Sequence, residues 1–157
     1  IYPSRVHEED GFPTWIDPLD LKTADSQYIT VEDDRAATSG PYFPDRTYFE
    51  FPNLGLTTPP NSATLKIRHQ ENISIGDTLP IDSEYNRREV TCWTGSTWTN
   101  VTSPYDVSTG IFGEINQALP DLCRDNINNM QIIVTYDPTP NTGSSQYFDL
   151  IELTITP

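Results

Sequence analysis

The sequence predicts an all-β fold: an antiparallel β-sandwich in a single domain, with an extended N-terminal arm. Three observations predict it. At least seven short runs alternate apolar and polar residues or are rich in β-branched and aromatic side chains. Loops rich in proline and glycine separate them, and 14 Pro in 157 residues leave little room for long helices. No apolar period of helical spacing lasts beyond two turns. The 3 Trp, 8 Tyr and 6 Phe exclude a disordered acidic chain, which would be poor in aromatics.

Each element follows in order. Residues 1–20 carry Pro3, Pro13 and Pro18, which forbid a helix, so residues 1–13 read as an extended arm and residues 14–157 as the sandwich. Residues 28–31 form a short alternating strand, and residues 32–46 a long acidic loop. Residues 47–51 alternate aromatic with polar and read as a strand. Residues 63–69 give the clearest one, with Ala63, Leu65 and Ile67 on one face and Thr64, Lys66 and Arg68 on the other. Residues 89–93 and 97–101 flank Thr94-Gly95-Ser96 as a hairpin. Residues 111–119 have room for one helical turn, ended by Pro120. Residues 130–136 and 147–156 complete the strands. In the last, Ile151, Leu153 and Ile155 point one way and Leu150, Glu152, Thr154 and Thr156 the other.

Charge excludes some partners. With 9 Lys and Arg against 23 Asp and Glu, the net charge is −14, so phosphate-rich nucleic acid and anionic membrane surfaces are repelled. No apolar run reaches 18 residues, so membrane insertion by a helix is not expected. The chain begins at Ile1 without a signal peptide, the expectation for a processed product.

Cys92 and Cys123 lack the closely spaced partners that zinc requires, and no CxxC or HxxxH occurs. One disulfide is expected, with two buried thiols as the alternative. A disulfide implies an oxidising compartment. The sequons at Asn72 and Asn100 agree with it, and together they indicate an extracellular or cell-surface glycoprotein.

No catalytic set is visible, and the chain reads as a non-enzyme. His7 and His69 lie outside any HExxH pattern, and no GxSxG, P-loop or GxGxxG occurs. Calcium takes six to eight oxygen ligands, and Asp17, Asp20, Asp25, Asp33 and Asp34 supply carboxylates around the first strand, either as ligands or as ordinary solvated groups. Trp93, Trp98 and Tyr105 offer a sugar-stacking platform, or else core, subunit or cross-strand packing.

Several pieces in order carry a resemblance: residues 25–31 (DSQYITV), 48–51 (YFEF), 59–67 (PPNSATLKI), Trp93 and Trp98, 132–136 (IIVTY) and 147–153 (YFDLIEL). The chain resembles the jelly-roll modules of secreted archaeal and bacterial surface proteins, similar in architecture to carbohydrate-binding modules. The resemblance spans residues 14–157. It implies a structural Ca²⁺ held by an early acidic residue and by an Asp on the closing strand, a position that Asp149 matches.

Two functions follow as expectations. The first is a structural subunit of a filament, sheath or surface layer. Copies of the chain would polymerise through the arm, with Ile1, Tyr2, Val6 and Phe12 buried on a neighbour. The alternative is a carbohydrate-binding or adhesive module with glycans as partners.

Overall fold

The computed structural model describes residues 1–8, 15–16, 21–22, 29–32, 45–73, 87–106, 111–136 and 144–157. Eleven strands in these residues form two antiparallel sheets of a jelly-roll β-sandwich. The larger sheet holds β1 (Arg5–Glu8), β2 (Trp15–Ile16), β4 (Asp45–Glu50), β6 (Arg87–Trp93), β7 (Trp98–Asn100), β8 (Tyr105–Asp106) and β10 (Gln131–Tyr136). Its order is β2-β1-β4-β10-β6-β7, with β8 also paired to β6. The smaller sheet holds β3 (Ile29–Glu32), β5 (Ser62–Ile73), β9 (Gly113–Ala118) and β11 (Ser144–Thr156), in the order β3-β11-β5-β9.

Strand parity places the core. Phe49, Val90, Cys92, Ile132 and Val134 project inward from the larger sheet and Ala63, Leu65, Ile67, Ile151 and Leu153 from the smaller. Phe49 and Phe148 meet edge to face across the interior, with ring centroids 5.1 Å apart. A β-bulge in β11 sets Asp149 and Leu150 against the single residue Arg68. The extra residue lets both Phe148 and Ile151, three positions apart, face the core.

The disulfide is formed between Cys92 and Cys123, with Cα atoms 6.0 Å apart and both residues fully buried. It joins β6 to a short helix, α1 (Asp121–Asp125). Residues 111–119 depart from expectation in the same region. They hold the edge strand β9 rather than a helical turn, and Pro120 begins α1 rather than ending a helix. The reasons are local. Pro120 lacks an N–H that the helix start does not need, and its carbonyl accepts from the N–H groups of Cys123 and Arg124. In β9 only Ile115 is half-buried, so the strand carries no apolar alternation to read.

The N-terminal segment also differs from the arm expected outside the core. Val6 in β1 is fully buried, and β1 pairs with β4 along its whole length and with β2. The Ile1 ammonium donates to the Leu153 carbonyl at 2.9 Å, and the Leu153 N–H donates to the Ile1 carbonyl at 2.7 Å. The free donors and acceptors of an extended chain are thus satisfied within the same molecule. Ile1 and Val6 are spent on their own sandwich, which corrects the reading of them as contacts for a neighbour. Tyr2 is half-buried, and Phe12 lies outside the described residues.

Candidate functional site on the outer face of the larger sheet

Residues of opposite parity to the core make up the outer face of the larger sheet. Register aligns them into rows across the strands. Arg46, Thr135 and Glu89 form one row, on β4, β10 and β6. His7, Tyr48, Ile133, Thr91 and Asn100 form the next, from β1 to β7. Arg5, Glu50, Gln131 lie in the third, which continues to Trp93 and Trp98.

A groove of about 310 Å³ opens on this face, lined by Arg46, Tyr48, Glu89, Thr91, Trp98, Ile133 and Thr135. Ile133 is nearly covered, so the groove has an apolar floor bordered by two threonine hydroxyls. Arg46 and Glu89 flank Thr135 from the two neighbouring strands, about 10 Å apart along the sheet. Trp98 leans inward from the edge strand until its ring meets the edge of Tyr48, with centroids 6.1 Å apart and planes at 75°. Trp93 packs against Trp98 with centroids 5.3 Å apart, and His7 stacks on Tyr48 at 4.6 Å. The aromatic groups are therefore fixed by neighbours rather than free to swing. The hairpin turn that sets Trp98 opposite Trp93 depends on Gly95, whose φ of +95° suits glycine. Asn126 Nδ2 donates to the Trp93 carbonyl at 3.3 Å and holds the same turn.

The structure brings two of the three expected platform residues together and separates the third. Trp93 and Trp98 are a cross-strand pair on the outer face. Tyr105 lies inside the sandwich, where its ring stacks on His69 at 5.6 Å. Arg46, Tyr48, Glu89, Thr91 and Thr135 escaped the sequence reading. The signal for them is parity: once Phe49, Val90 and Val134 are assigned to the core, their neighbours must face out.

Behind the sheet lies a buried polar cluster. His69, 3% exposed, and Arg88, 1% exposed, sit among core residues with Tyr105. Burial, with the Arg88 guanidinium adding to it, lowers the His69 pKa to about 3, so the imidazole is neutral at ordinary pH. Burial likewise pushes the Tyr105 phenol up, against the opposing pull of Arg88. His69 Nδ1 and the Tyr105 hydroxyl have no hydrogen-bond partner among the described residues.

The calcium residues do not assemble among the described residues. Asp17, Asp20, Asp25 and Asp33 lie outside them. Asp149 is fully buried, and the Arg68 guanidinium, itself packed on the Phe112 ring at 4.9 Å, binds its carboxylate. In this arrangement the Arg68 cation neutralises the Asp149 carboxylate. No group of three or more His, Cys, Asp or Glu gathers elsewhere among the described residues. Of the two sequon residues, Asn100 is exposed at the end of β7. Asn72 stands within β5, paired with Ser145. No helix among the described residues is long and apolar enough to cross a membrane.

No family model matches the chain, and no curated protein does. Among solved structures it is similar to a family 28 carbohydrate-binding module specific for non-crystalline cellulose, at 9% identity and a TM-score of 0.47, over 94% of this chain and 78% of that one. It is similar to a cleaved adhesin domain of Lys-gingipain from Porphyromonas gingivalis at 13% identity and a TM-score of 0.46, over 83% and 75%. A family 61 carbohydrate-binding module in complex with β-1,4-galactotriose gives 9% identity and a TM-score of 0.39, over 83% and 89%.

Proposed function

We propose that the chain is a carbohydrate-binding module whose ligand lies in the groove on the outer face of the larger sheet. One observation carries the reading: Tyr48 and Trp98 meet over a floor of Ile133, Thr91 and Thr135, with Arg46 and Glu89 at one end. A pyranose presents C–H groups on its faces and hydroxyls around its rim. The π-faces of Trp98 and Tyr48 suit the first, since their negative quadrupole attracts polarised C–H groups. The guanidinium, the carboxylate and the threonine hydroxyls suit the second, with donors and acceptors both present. Small-ligand sites combine apolar walls with a few placed polar groups in this way.

The module acts without catalysis in this reading. It holds its ligand on the sheet face, and the rigid strands beneath keep the contacts pre-ordered. The buried disulfide suits an oxidising compartment, in keeping with a secreted or surface location. Assembly through the N-terminal arm is not retained, because Ile1 and Val6 pair and pack within their own domain.

The test is binding of the unglycosylated protein to immobilised plant, algal and microbial polysaccharides, by affinity electrophoresis. Retardation by at least one polysaccharide is expected. Trp98→Ala and Tyr48→Ala should weaken it about tenfold or more, equivalent to ~1.4 kcal/mol. Binding that survives both substitutions in folded protein places the ligand elsewhere and overturns the reading.

A further inference from the structure

Asn100, in the sequon Asn100-Val101-Thr102, stands two residues after Trp98 on β7. Residues two apart on a strand share a face, about 6.6 Å apart. Register places Asn100 directly beside Thr91, which lines the groove. Asn100 is exposed, whereas Trp98 is half-buried with Trp93 packed against it. Thr102 lies just past the strand end, where its Oγ1 accepts from the Val90 N–H at 3.2 Å and fixes the chain's exit.

We infer that Asn100 carries an N-linked glycan whose first pyranose seats on Trp98, so that the groove holds the protein's own sugar. The reach fits: the Asn side chain and one pyranose together span the distance to the neighbouring ring. The chemistry fits as well, because the C–H face of that pyranose meets an indole already held against Tyr48. The attachment is a group transfer from a lipid-pyrophosphate-linked oligosaccharide, made by an oligosaccharyltransferase. A bond forms between Asn100 Nδ2 and the sugar's anomeric carbon. The bond from that carbon to the pyrophosphate breaks, the lipid pyrophosphate leaves, and one amide proton passes to the transferase's base. The consequence is self-capping: glycosylated chains have their groove filled, and unglycosylated chains leave it open to other saccharides. This inference shares the groove of the carbohydrate-binding reading but concerns a covalent ligand.

The experiment secretes the full chain from yeast, which attaches glycans beginning with N-acetylglucosamine. Peptide mapping should find Asn100 occupied. Trimming to the first sugar with an endoglycosidase should leave Tm unchanged, and complete removal with an amidase should lower it by about 2–4 °C. In Trp98→Leu the same removal should cause no drop. An unmodified Asn100, or an equal drop in both backgrounds, overturns the inference. Should Trp98→Leu fail to fold, Trp fluorescence of the wild type decides. A spectral change on removing the last sugar supports the seat, and none overturns it. No free saccharide enters this test, so its failure stays distinct from failure of the unglycosylated protein to bind polysaccharide.

Discussion

Acidification should destabilise this domain through one residue, His69. The imidazole lies between the sheets, 3% exposed, stacked on Tyr105 and edge-on to Phe148 at 5.8 Å. The charged groups facing it include Arg88, which disfavours a second positive charge. Its pKa in the fold is about 3, against 6.5 in the unfolded chain. The folded value is the lower, so as pH falls the unfolded state takes up the proton first. The contribution is fully present above pH 6.5 and is lost progressively towards pH 3. Each pH unit in that window costs about 1.4 kcal/mol, which makes about 2 kcal/mol by pH 5. For a domain of this size that lowers Tm by roughly 4–8 °C. Carboxylates titrate in the lower part of the window too, so the comparison is with His69→Phe, which keeps a stacking ring and loses the proton site. Urea unfolding of both proteins at pH 5, 6, 7 and 8 isolates the term. The wild type should lose about 2 kcal/mol more than the variant between pH 8 and pH 5. Parallel pH profiles would refute the assignment of His69 as a buried, neutral base.

Three further predictions follow from the packing. Replacing Cys92 and Cys123 together by alanine removes a cross-link between residues 31 apart in sequence, and urea unfolding should show a loss of about 3–4 kcal/mol. Asp149→Ala strips the partner from Arg68, whose side chain is 24% exposed and so still reaches water; a loss of about 2–3 kcal/mol is expected, measured by thermal melts, below the full cost of orphaning a wholly buried charge. Gly95→Ala places a Cβ 3.3 Å from Asn126 Oδ1 on a backbone with φ of +95°, so a loss of about 1–2 kcal/mol should appear, with the Trp93 and Trp98 fluorescence altered.

Much of the fold was legible because strands betray themselves by parity. Ala63, Leu65 and Ile67 alternate cleanly, and they line the core as their spacing predicts. The same alternation in Ile151 and Leu153 holds, although the bulge at Asp149 shifts phase just before them, and no composition rule marks such a bulge. Strand β9 was illegible for a physical reason: an edge strand with one half-buried residue carries polar groups on both faces and resembles a loop or a helical turn. Strand β1 was illegible because proline and sparse apolar residues describe an edge-region strand as well as a free segment; only pairing distinguishes them. Of the groove, the two tryptophans drew attention by residue type. Tyr48, Arg46 and Glu89 did not, because their meeting depends on the order in which β4, β10 and β6 assemble, and strand order is a long-range property. Tyr105 failed as a platform residue because exposure of an aromatic cannot be read from a two-residue strand.

The groove is most directly tested by following the indole N–H signals of unglycosylated protein by NMR during titration with soluble oligosaccharides. The Trp98 signal should shift and saturate with at least one of them, Trp93 should move less, and Tyr48→Ala should weaken the response about tenfold. Saturable binding that leaves the Trp98 signal in place would contradict the account.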